Sequence, residues 1–384
     1  MPGTRSILKL EIIVCLSLIV ITILVSVFVV KNLVGSLYYL TWKDSPQKAD
    51  DSVSVLEEKT AKLIPSNSNS FYKLGRHYRK IAYTAVSDEE RARGFNLAEK
   101  YLIKAILLQP GNSYYLSEYA RVAGGMGDID RAIKYFEISV SLSKTDAFIH
   151  SLYAGWSLQN AKKIFRIEDL DFLAMMYKNP EEVVPFYDER LIGEITVKTF
   201  ISIAEREWDE ALRLGVPKSQ STYSDLGDLY LMTLRPDKAI ENYKKAGDSI
   251  RLINSYFVEQ DFDKIFHLVK NLIETNNRVF WSRWDEIRKL LNKAAVFDLG
   301  GYEAYYWLGK GYYQQYMFEE AIENLKKATT LKPGHVDGHF FLAKSYEAVK
   351  KTDMAIKEYT EVLKIKPGHK EATVRLGSAI KSEL

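Results

Sequence analysis

Apolar and small residues recur at fixed offsets in the C-terminal part of the chain, and the pattern returns after about 34 residues. Leu308, Gly309 and Tyr312 fall on one face of a helix, at i, i+1 and i+4. Ala321 and Leu325 belong to the matching stripe of a second helix. The seven positions Leu308, Gly309, Tyr312, Ala321, Leu325, Ala328 and Pro333 return as Leu342, Ala343, Tyr346, Ala355, Tyr359, Val362 and Pro367. The pattern predicts helical hairpins that cover each other's apolar stripes by stacking.

Small residues and helix breakers support this hairpin. Gly309 and Ala321 are small where two antiparallel helices would approach closely. Pro333 cannot continue the second helix, and Gly334 supplies the turn into the next unit. A third copy begins at Leu376 and Gly377.

The same phase extends upstream and predicts an all-α chain. Residues 71–158 form repeats of this kind, 159–219 form an irregular helical segment cut by prolines, and 220–384 form further repeats ending in a half-repeat. In the first unit the second helix begins about 11 residues late, so Ser87 to Gly94 is either a loop or a helix extension.

An uncharged run at the N-terminus predicts a membrane anchor. Ile12 to Val30 contains 19 residues without charge, about 28 Å of helix. Val34-Gly35-Ser36 is a poor cleavage site, which argues against a signal peptide. We therefore expect a tail at 1–9, one transmembrane helix at 10–33 and a juxtamembrane linker at 34–70. A short N-terminal tail most often stays in the cytoplasm, which places the repeats in the periplasm of a bacterium, on its inner membrane.

Composition excludes several classes of function. A hydrophobic fraction of 47% with 27% charged residues is typical of a folded protein. A net charge of +3 gives no indication of nucleic-acid binding. Cys15 is the one cysteine, so the chain has neither a disulfide framework nor a cysteine-based zinc site.

These repeats resemble the tetratricopeptide repeat (TPR) family over most of residues 71–384. The resemblance implies a TPR-like α-solenoid of antiparallel helix pairs that binds protein partners, with no catalysis and no cofactor. One anchor followed by such repeats is similar to bacterial envelope proteins that help to assemble exported polysaccharide, lipopolysaccharide or outer-membrane proteins. Mitochondrial import receptors share the same plan with a cytosolic solenoid.

The resemblance also implies which residues line a binding groove on the inner, first helix of each unit. Positions are counted along the first helix of each repeat, as in the family. Position 9 is basic in four of the eight units, and position 5 is aromatic in several of them. The predicted groove residues are Tyr72, Arg76, Arg79, Arg121, Tyr306, Lys310, Tyr313, Phe340 and Lys344. They suggest a groove for an extended acidic segment of a protein, or else for an acidic polymer.

Other candidate chemistry is weaker. His335 and His339 lie four residues apart near Asp337, but His335 and His369 occupy the same repeat position, so repeat geometry explains them and we predict no metal site. Gly124-Gly125-x-Gly127 lacks the Lys-Ser/Thr of a phosphate loop. An enzyme, or an enzyme subunit, with an unrecognised site in 159–219 remains the alternative.

Overall fold

The protein, seen in a computed structural model, is described at residues 20–21, 23–27, 29–30, 58–59, 61–164, 170–178, 191–192, 195–275, 278–296 and 301–383. Its helices are α1 Ser68–Thr84, α2 Asp88–Leu108, α3 Ser113–Gly125, α4 Ile129–Leu142, α5 Ala147–Ile164, α6 Leu170–Lys178, α7 Val197–Arg213, α8 Gln220–Met232, α9 Pro236–Ala246, α10 Ser249–Glu259, α11 Phe262–Glu274, α12 Arg278–Ser282, α13 Trp284–Val296, α14 Gly301–Gln314, α15 Phe318–Leu331, α16 Val336–Ala348, α17 Thr352–Ile365 and α18 Lys370–Glu383. The prediction of an all-α, TPR-like helical repeat fold is confirmed.

The chain divides into two compact units. Unit 1 comprises residues 1–157 and 202–216, and unit 2 comprises 158–201 and 217–384. In unit 1 the consecutive helices α1 and α2, and then α3 and α4, pack as hairpins, and the first helices α1 and α3 also contact each other. In unit 2 the hairpins are α8 with α9, α14 with α15 and α16 with α17, and α14 contacts α16.

The C-terminal hairpins reproduce the period of the sequence directly. Helix α15 begins at Phe318 and ends at Leu331, and one full period later α17 begins at Thr352 and ends at Ile365. Helix α15 stops before Pro333, as expected. All the apolar and small positions of the pattern are buried: Leu308, Gly309, Tyr312, Ala321, Leu325, Ala328, Leu342, Ala343, Tyr346, Ala355, Tyr359 and Val362.

Glycine allows the two helices of a hairpin to approach closely. A Cβ placed on Gly309 would lie 2.5 Å from Leu325 Cγ, and Cβ atoms on Gly75 and Gly227 would collide with Leu102 and Tyr243 of their own second helices. Three hairpins therefore use the same glycine position for the same contact.

The extra residues of the first repeat are a helix extension. Helix α2 begins at Asp88, and the Ser87 hydroxyl caps it by accepting the Glu90 amide at 3.2 Å. Gly94 lies within this helix and packs against Ala82 of α1. Three acidic residues in the first turn suit the positive end of the helix.

A short hairpin lies in the segment predicted to be irregular. Strands β1 (Leu191–Ile192) and β2 (Ile195–Thr196) pair antiparallel there. Two residues per strand are too few to produce an alternating pattern, so this pairing could not be predicted from the sequence. The all-α class of the chain is unaffected, because the ladder adds no layer to the stacked helices.

Most of the predicted anchor, residues 10–33, lies outside the described residues, as do the tail at 1–9 and residues 34–57 and 60 of the linker. Within 10–33, residues 20–21, 23–27 and 29–30 are helical and exposed. Among the residues that the structure describes, no helix is both long and apolar enough to cross a membrane.

Candidate binding surface

The predicted groove residues form two groups. Tyr72, Arg76, Arg79 and Arg121 lie on α1 and α3 of unit 1, and we call them, together with Tyr83 and Glu118, the arginine cluster. Tyr306, Lys310, Tyr313, Phe340 and Lys344 lie on α14 and α16 of unit 2, and with Trp307 and Phe341 they form the lysine–aromatic layer.

An ion pair at the contact of α1 and α3 organises the arginine cluster. Arg79 Nε donates to Glu118 Oε1, and the two side chains are only 7% and 4% exposed. Glu118 Oε2 also accepts from Arg121 Nη1 at 3.3 Å. One carboxylate thus holds two guanidinium groups, one buried and one half-buried.

Aromatic rings enclose the same group. The Arg76 guanidinium lies 5.6 Å from the centre of the Tyr72 ring, and Tyr72 stacks on Tyr115 at 4.8 Å. The Arg79 guanidinium lies 5.5 Å from the ring of Tyr83. Cations in such positions are attracted by the negative face of the ring. Arg76 itself is exposed, so the cluster opens to solvent there.

The pKa of Arg121 depends first on burial and then on the charges of its neighbours. Burial lowers the pKa of Arg121, Glu118 opposes that shift, and the positive charges of Arg79 and Arg76 lower the pKa further. Burial is also the main cause of the raised pKa of Tyr72 and Tyr83. The cluster therefore groups three guanidinium groups and two phenol rings with a single carboxylate, which pairs with Arg79 and Arg121.

Sequence reasoning missed several residues of this surface, Tyr83 and Glu118 of the arginine cluster among them. Glu118 stands three residues before Arg121, and its role depends on Arg79, which lies 39 residues away in the chain. Tyr114 and Phe148 stand at position 2 of their repeats. Their rings stack with centres 6.0 Å apart and remain partly exposed. The Tyr114 hydroxyl donates to Asp146 at 2.6 Å, which holds the ring in place. Inspecting position 2 of each repeat in the sequence, as was done for position 9, would have identified both rings.

In unit 2 the lysines of the groove are covered by aromatic rings. Lys310 Nζ lies 5.0 to 5.8 Å from the ring centres of Tyr306, Trp307 and Phe341, and burial lowers the pKa of this ammonium. Lys344 Nζ lies 5.2 to 5.5 Å from the ring centres of three aromatic residues: Tyr313, Phe340 and Phe341. Phe341 therefore lies between the two lysines and links the repeats.

Each of these lysines lies beside a carboxylate, and the one beside Lys344 also pairs with Arg375. Lys310 Nζ lies 3.8 Å from Glu274 Oε1, and Lys344 Nζ lies 3.7 Å from Glu371 Oε1. The structure brings the predicted residues together, but it places the lysine charges under rings and next to acidic partners. The lysine–aromatic layer is thus closer to charge balance than the arginine cluster.

One repeat of unit 2 has a buried acidic residue at position 9. Asp228, at the ninth position of its repeat, is fully buried and accepts from the Tyr243 hydroxyl at 2.7 Å. It forms ion pairs with Lys162 and with Arg251, the latter at 3.1 Å. This network closes α8 against its neighbours and occupies the carboxylate of Asp228 within the chain.

The histidines have structural roles. Nδ1 of His335 accepts the Gly338 amide at 2.9 Å and Nδ1 of His369 accepts the Ala372 amide at 3.2 Å, so both cap the helix that follows. Their rings pack on Tyr306 and Phe340 respectively. No group of three or more His, Cys, Asp or Glu in the described ranges is arranged to hold a metal ion.

The segment 159–219 contributes one buried polar contact within unit 1. Glu207 of α7 lies 2.6 Å from Nδ1 of His150 and accepts from Arg206 Nε at 2.8 Å. The other imidazole nitrogen of His150 lies 3.2 Å from the Lys144 carbonyl. These contacts join α7 to α5 and account for every polar atom of the imidazole.

Comparisons with known proteins identify the repeat. Residues 302–335 and 336–369 each match the tetratricopeptide repeat family, and no curated protein matches the chain. Similar solved structures include YrrB, a TPR protein with an unusual peptide-binding site (14% identity, covering 71% of this chain and 96% of YrrB, TM-score 0.26). Others are yeast Tom70 (16% identity, 88% and 61% coverage, TM-score 0.34) and pilF of Pseudomonas aeruginosa (12% identity, 81% and 97% coverage, TM-score 0.30).

The chain thus spans less than two thirds of Tom70. At these identities and TM-scores the solved structures say nothing about partners or activity. The two matched segments coincide with α14–α15 and α16–α17, including the loops that follow them. Residues 302–369 of this chain are two tetratricopeptide repeats.

Proposed function

We propose that this protein is a membrane-anchored scaffold whose arginine cluster holds an extended acidic segment of a protein partner. The observation that carries the proposal is the grouping of Arg76, Arg79 and Arg121 around Glu118, on the face formed by the first helices of two repeats. Guanidinium groups pair with carboxylates through two parallel N–H bonds, which gives orientation as well as attraction.

The neighbouring rings supply apolar contact for the rest of such a segment. Tyr114 and Phe148 form a stacked, partly exposed pair on α3 and α5. Extended peptides combine charge pairing with pockets for alternate side chains. We therefore expect the partner to place an acidic residue against the arginines and an apolar residue against the aromatic pair.

A binding measurement with a defined probe tests this proposal. The probe is a labelled dodecapeptide of alternating glutamate and alanine, added to the full-length chain in detergent. We expect Arg76→Gln/Arg121→Gln to weaken binding about tenfold. The control Lys100→Gln/Lys134→Gln removes the same charge from exposed positions on α2 and α4 and leaves affinity within about twofold. Equal loss in both variants would contradict the proposal.

An acidic polysaccharide is the competing ligand. It would bind by charge alone, so its affinity would fall steeply with salt. Polygalacturonate that displaces the peptide, and that loses affinity equally in both double variants, would favour this alternative over a protein segment.

The anchor and the cellular role belong to the same proposal. The uncharged run from Ile12 to Val30 supports one membrane helix. We further propose that the repeats lie in the periplasm and that they help to assemble a cell-envelope complex or to export polysaccharide. Membrane fractions washed with carbonate should retain the chain, and a version lacking residues 1–43 should be released. In inverted inner-membrane vesicles the cytoplasmic face points outward. Protease added to them should leave the repeats intact, and digestion would show that the repeats face the cytoplasm.

A further inference from the structure

We propose that the arginine cluster of unit 1 binds a phosphomonoester dianion carried by an extended segment of a phosphorylated protein. This inference rests on the proposed function in one respect, that α1 and α3 form the binding face. It adds the chemical class of the group that occupies the cluster.

The charge count in the cluster is unequal. Arg76, Arg79 and Arg121 carry three positive charges, and among the described residues Glu118 is the one carboxylate that pairs with any of them. Two positive charges therefore remain. A single carboxylate from a partner would neutralise one of them, whereas a phosphomonoester carries about −1.5 to −2 at neutral pH.

The donors also exceed the acceptors. Glu118 accepts one N–H from Arg79 and one from Arg121. A guanidinium has five N–H donors, so the half-buried Arg121 and the exposed Arg76 retain N–H groups that a ligand can reach, while the buried Arg79 contributes its charge. The three acceptor oxygens of a phosphate can take N–H groups from more than one fork at once.

Basic groups elsewhere in the described chain provide an internal comparison. Lys310 lies beside Glu274, and Lys344 lies beside Glu371. Arg251 pairs with both Asp228 and Asp248. These cations have acidic partners within the chain, so the surplus in unit 1 is a property of that surface and not of groove positions in general.

Oriented peptide libraries test the assignment. Three immobilised libraries carry phosphoserine, glutamate or serine at the fixed central position, and the full-length chain in detergent is passed over each. We expect the phosphoserine library to retain about tenfold more protein than the glutamate library. Arg76→Gln/Arg121→Gln should abolish that difference, and Lys100→Gln/Lys134→Gln should keep it.

A second variant guards against misfolding. Arg76 is exposed, so Arg76→Lys keeps the fold and the charge while removing the fork, and it should lower phosphoserine retention about threefold. An unchanged far-UV circular dichroism spectrum verifies that the variant is folded. Retention unaffected by Arg76→Lys would contradict bidentate recognition.

The outcomes separate this inference from the proposed function. Equal retention of the phosphoserine and glutamate libraries, both above serine, overturns the dianion and leaves the acidic-segment proposal standing. Equal retention of all three overturns both. If glucose 6-phosphate displaces the chain as well as a phosphoserine peptide does, the occupant is a phosphorylated sugar and the assignment to a protein segment is wrong.

Discussion

Arg79 and Glu118 form a buried ion pair across the contact between the first helices of two successive repeats. Residue 79 lies on α1 and residue 118 on α3, and both side chains are almost completely shielded from water. Removing one member of such a pair leaves an uncompensated buried charge, which costs far more than the pair itself contributes.

We expect Glu118→Gln to destabilise unit 1 by about 3 to 5 kcal/mol, because Arg79 then lacks its anion. The double variant Arg79→Met/Glu118→Met should recover most of that loss, since apolar side chains of similar volume can replace a buried pair. Urea denaturation of the four members of the cycle measures the coupling. A double variant as unstable as Glu118→Gln alone would contradict the account of this contact.

Replacing glycine by alanine at two equivalent repeat positions should change the stability in opposite directions. Gly309→Ala should destabilise by about 1 to 3 kcal/mol, because its Cβ would overlap Leu325. Gly377 stands two periods later, at the same repeat position, and a Cβ there meets nothing within 4 Å.

Gly377→Ala should therefore stabilise α18 by about 0.5 to 1 kcal/mol, the usual gain of alanine over glycine in a helix. Thermal unfolding of the two variants beside the wild type measures both effects. The same sign for both substitutions would show that the close approach at Gly309 is not what limits that position.

A positive φ angle at the turn between α16 and α17 predicts a stabilising substitution. Lys350 has φ of +58°, and Tyr316, one period earlier, has φ of +61°. Gly127 stands at the corresponding turn of the repeat formed by α3 and α4 and also has a positive φ.

Lys350→Gly should stabilise the C-terminal repeats by about 1 kcal/mol, because a side chain in this region of φ is strained. Lys351→Gly is the control: its φ is −93°, so glycine relieves no strain there. Its added chain entropy opposes the preference for glycine at an N-cap, and the stability should stay within about 0.5 kcal/mol of the wild type. Urea midpoints of the two variants decide between these outcomes.

His339 links the stability of the last full repeat to pH. Its Nδ1 lies 2.7 Å from Glu358 Oε2 and its Nε2 lies 2.9 Å from the Pro333 carbonyl. The hydrogen bond to Glu358 is the main cause that raises the pKa of His339 above its ordinary value. A group with a raised folded-state pKa contributes stability below its unfolded pKa of about 6.5, and that contribution is lost as pH rises through the folded pKa.

Amide hydrogen exchange in α16 and α17 measures this linkage. As the pH rises above about 6.5, the wild type should lose opening free energy, and His339→Gln should lose less. His335 acts in the opposite sense at lower pH, since burial lowers its pKa. Parallel pH profiles would contradict the assignment to His339.

The sequence predicted the repeat more completely than it predicted the surface. Leu308, Gly309 and Leu325 follow a period that depends only on spacing along the chain, so a single sequence is enough to find them. Glu118 acts through Arg79, a contact made only when two repeats stack, and no local pattern marks it. Burial of Lys310 beneath aromatic rings likewise depends on Phe341 of the next repeat.

Position within the repeat explains the histidines but not the short strands. His335 and His369 share a helix-capping role that the common spacing already implied. Leu191 pairs with Thr196 in a ladder of two residues on each strand, which is too short for an alternating pattern to mark it.

Photo-crosslinking in the native host tests the central claim most directly, because the partner does not have to be identified beforehand. Benzoylphenylalanine would replace Tyr114, beside the arginine cluster, or Leu107, an exposed residue of the second helix α2. The account predicts one protein adduct at Tyr114, reduced at least about fivefold by Arg76→Gln, and none of that protein at Leu107. The same adduct at both positions, unchanged by Arg76→Gln, would contradict it.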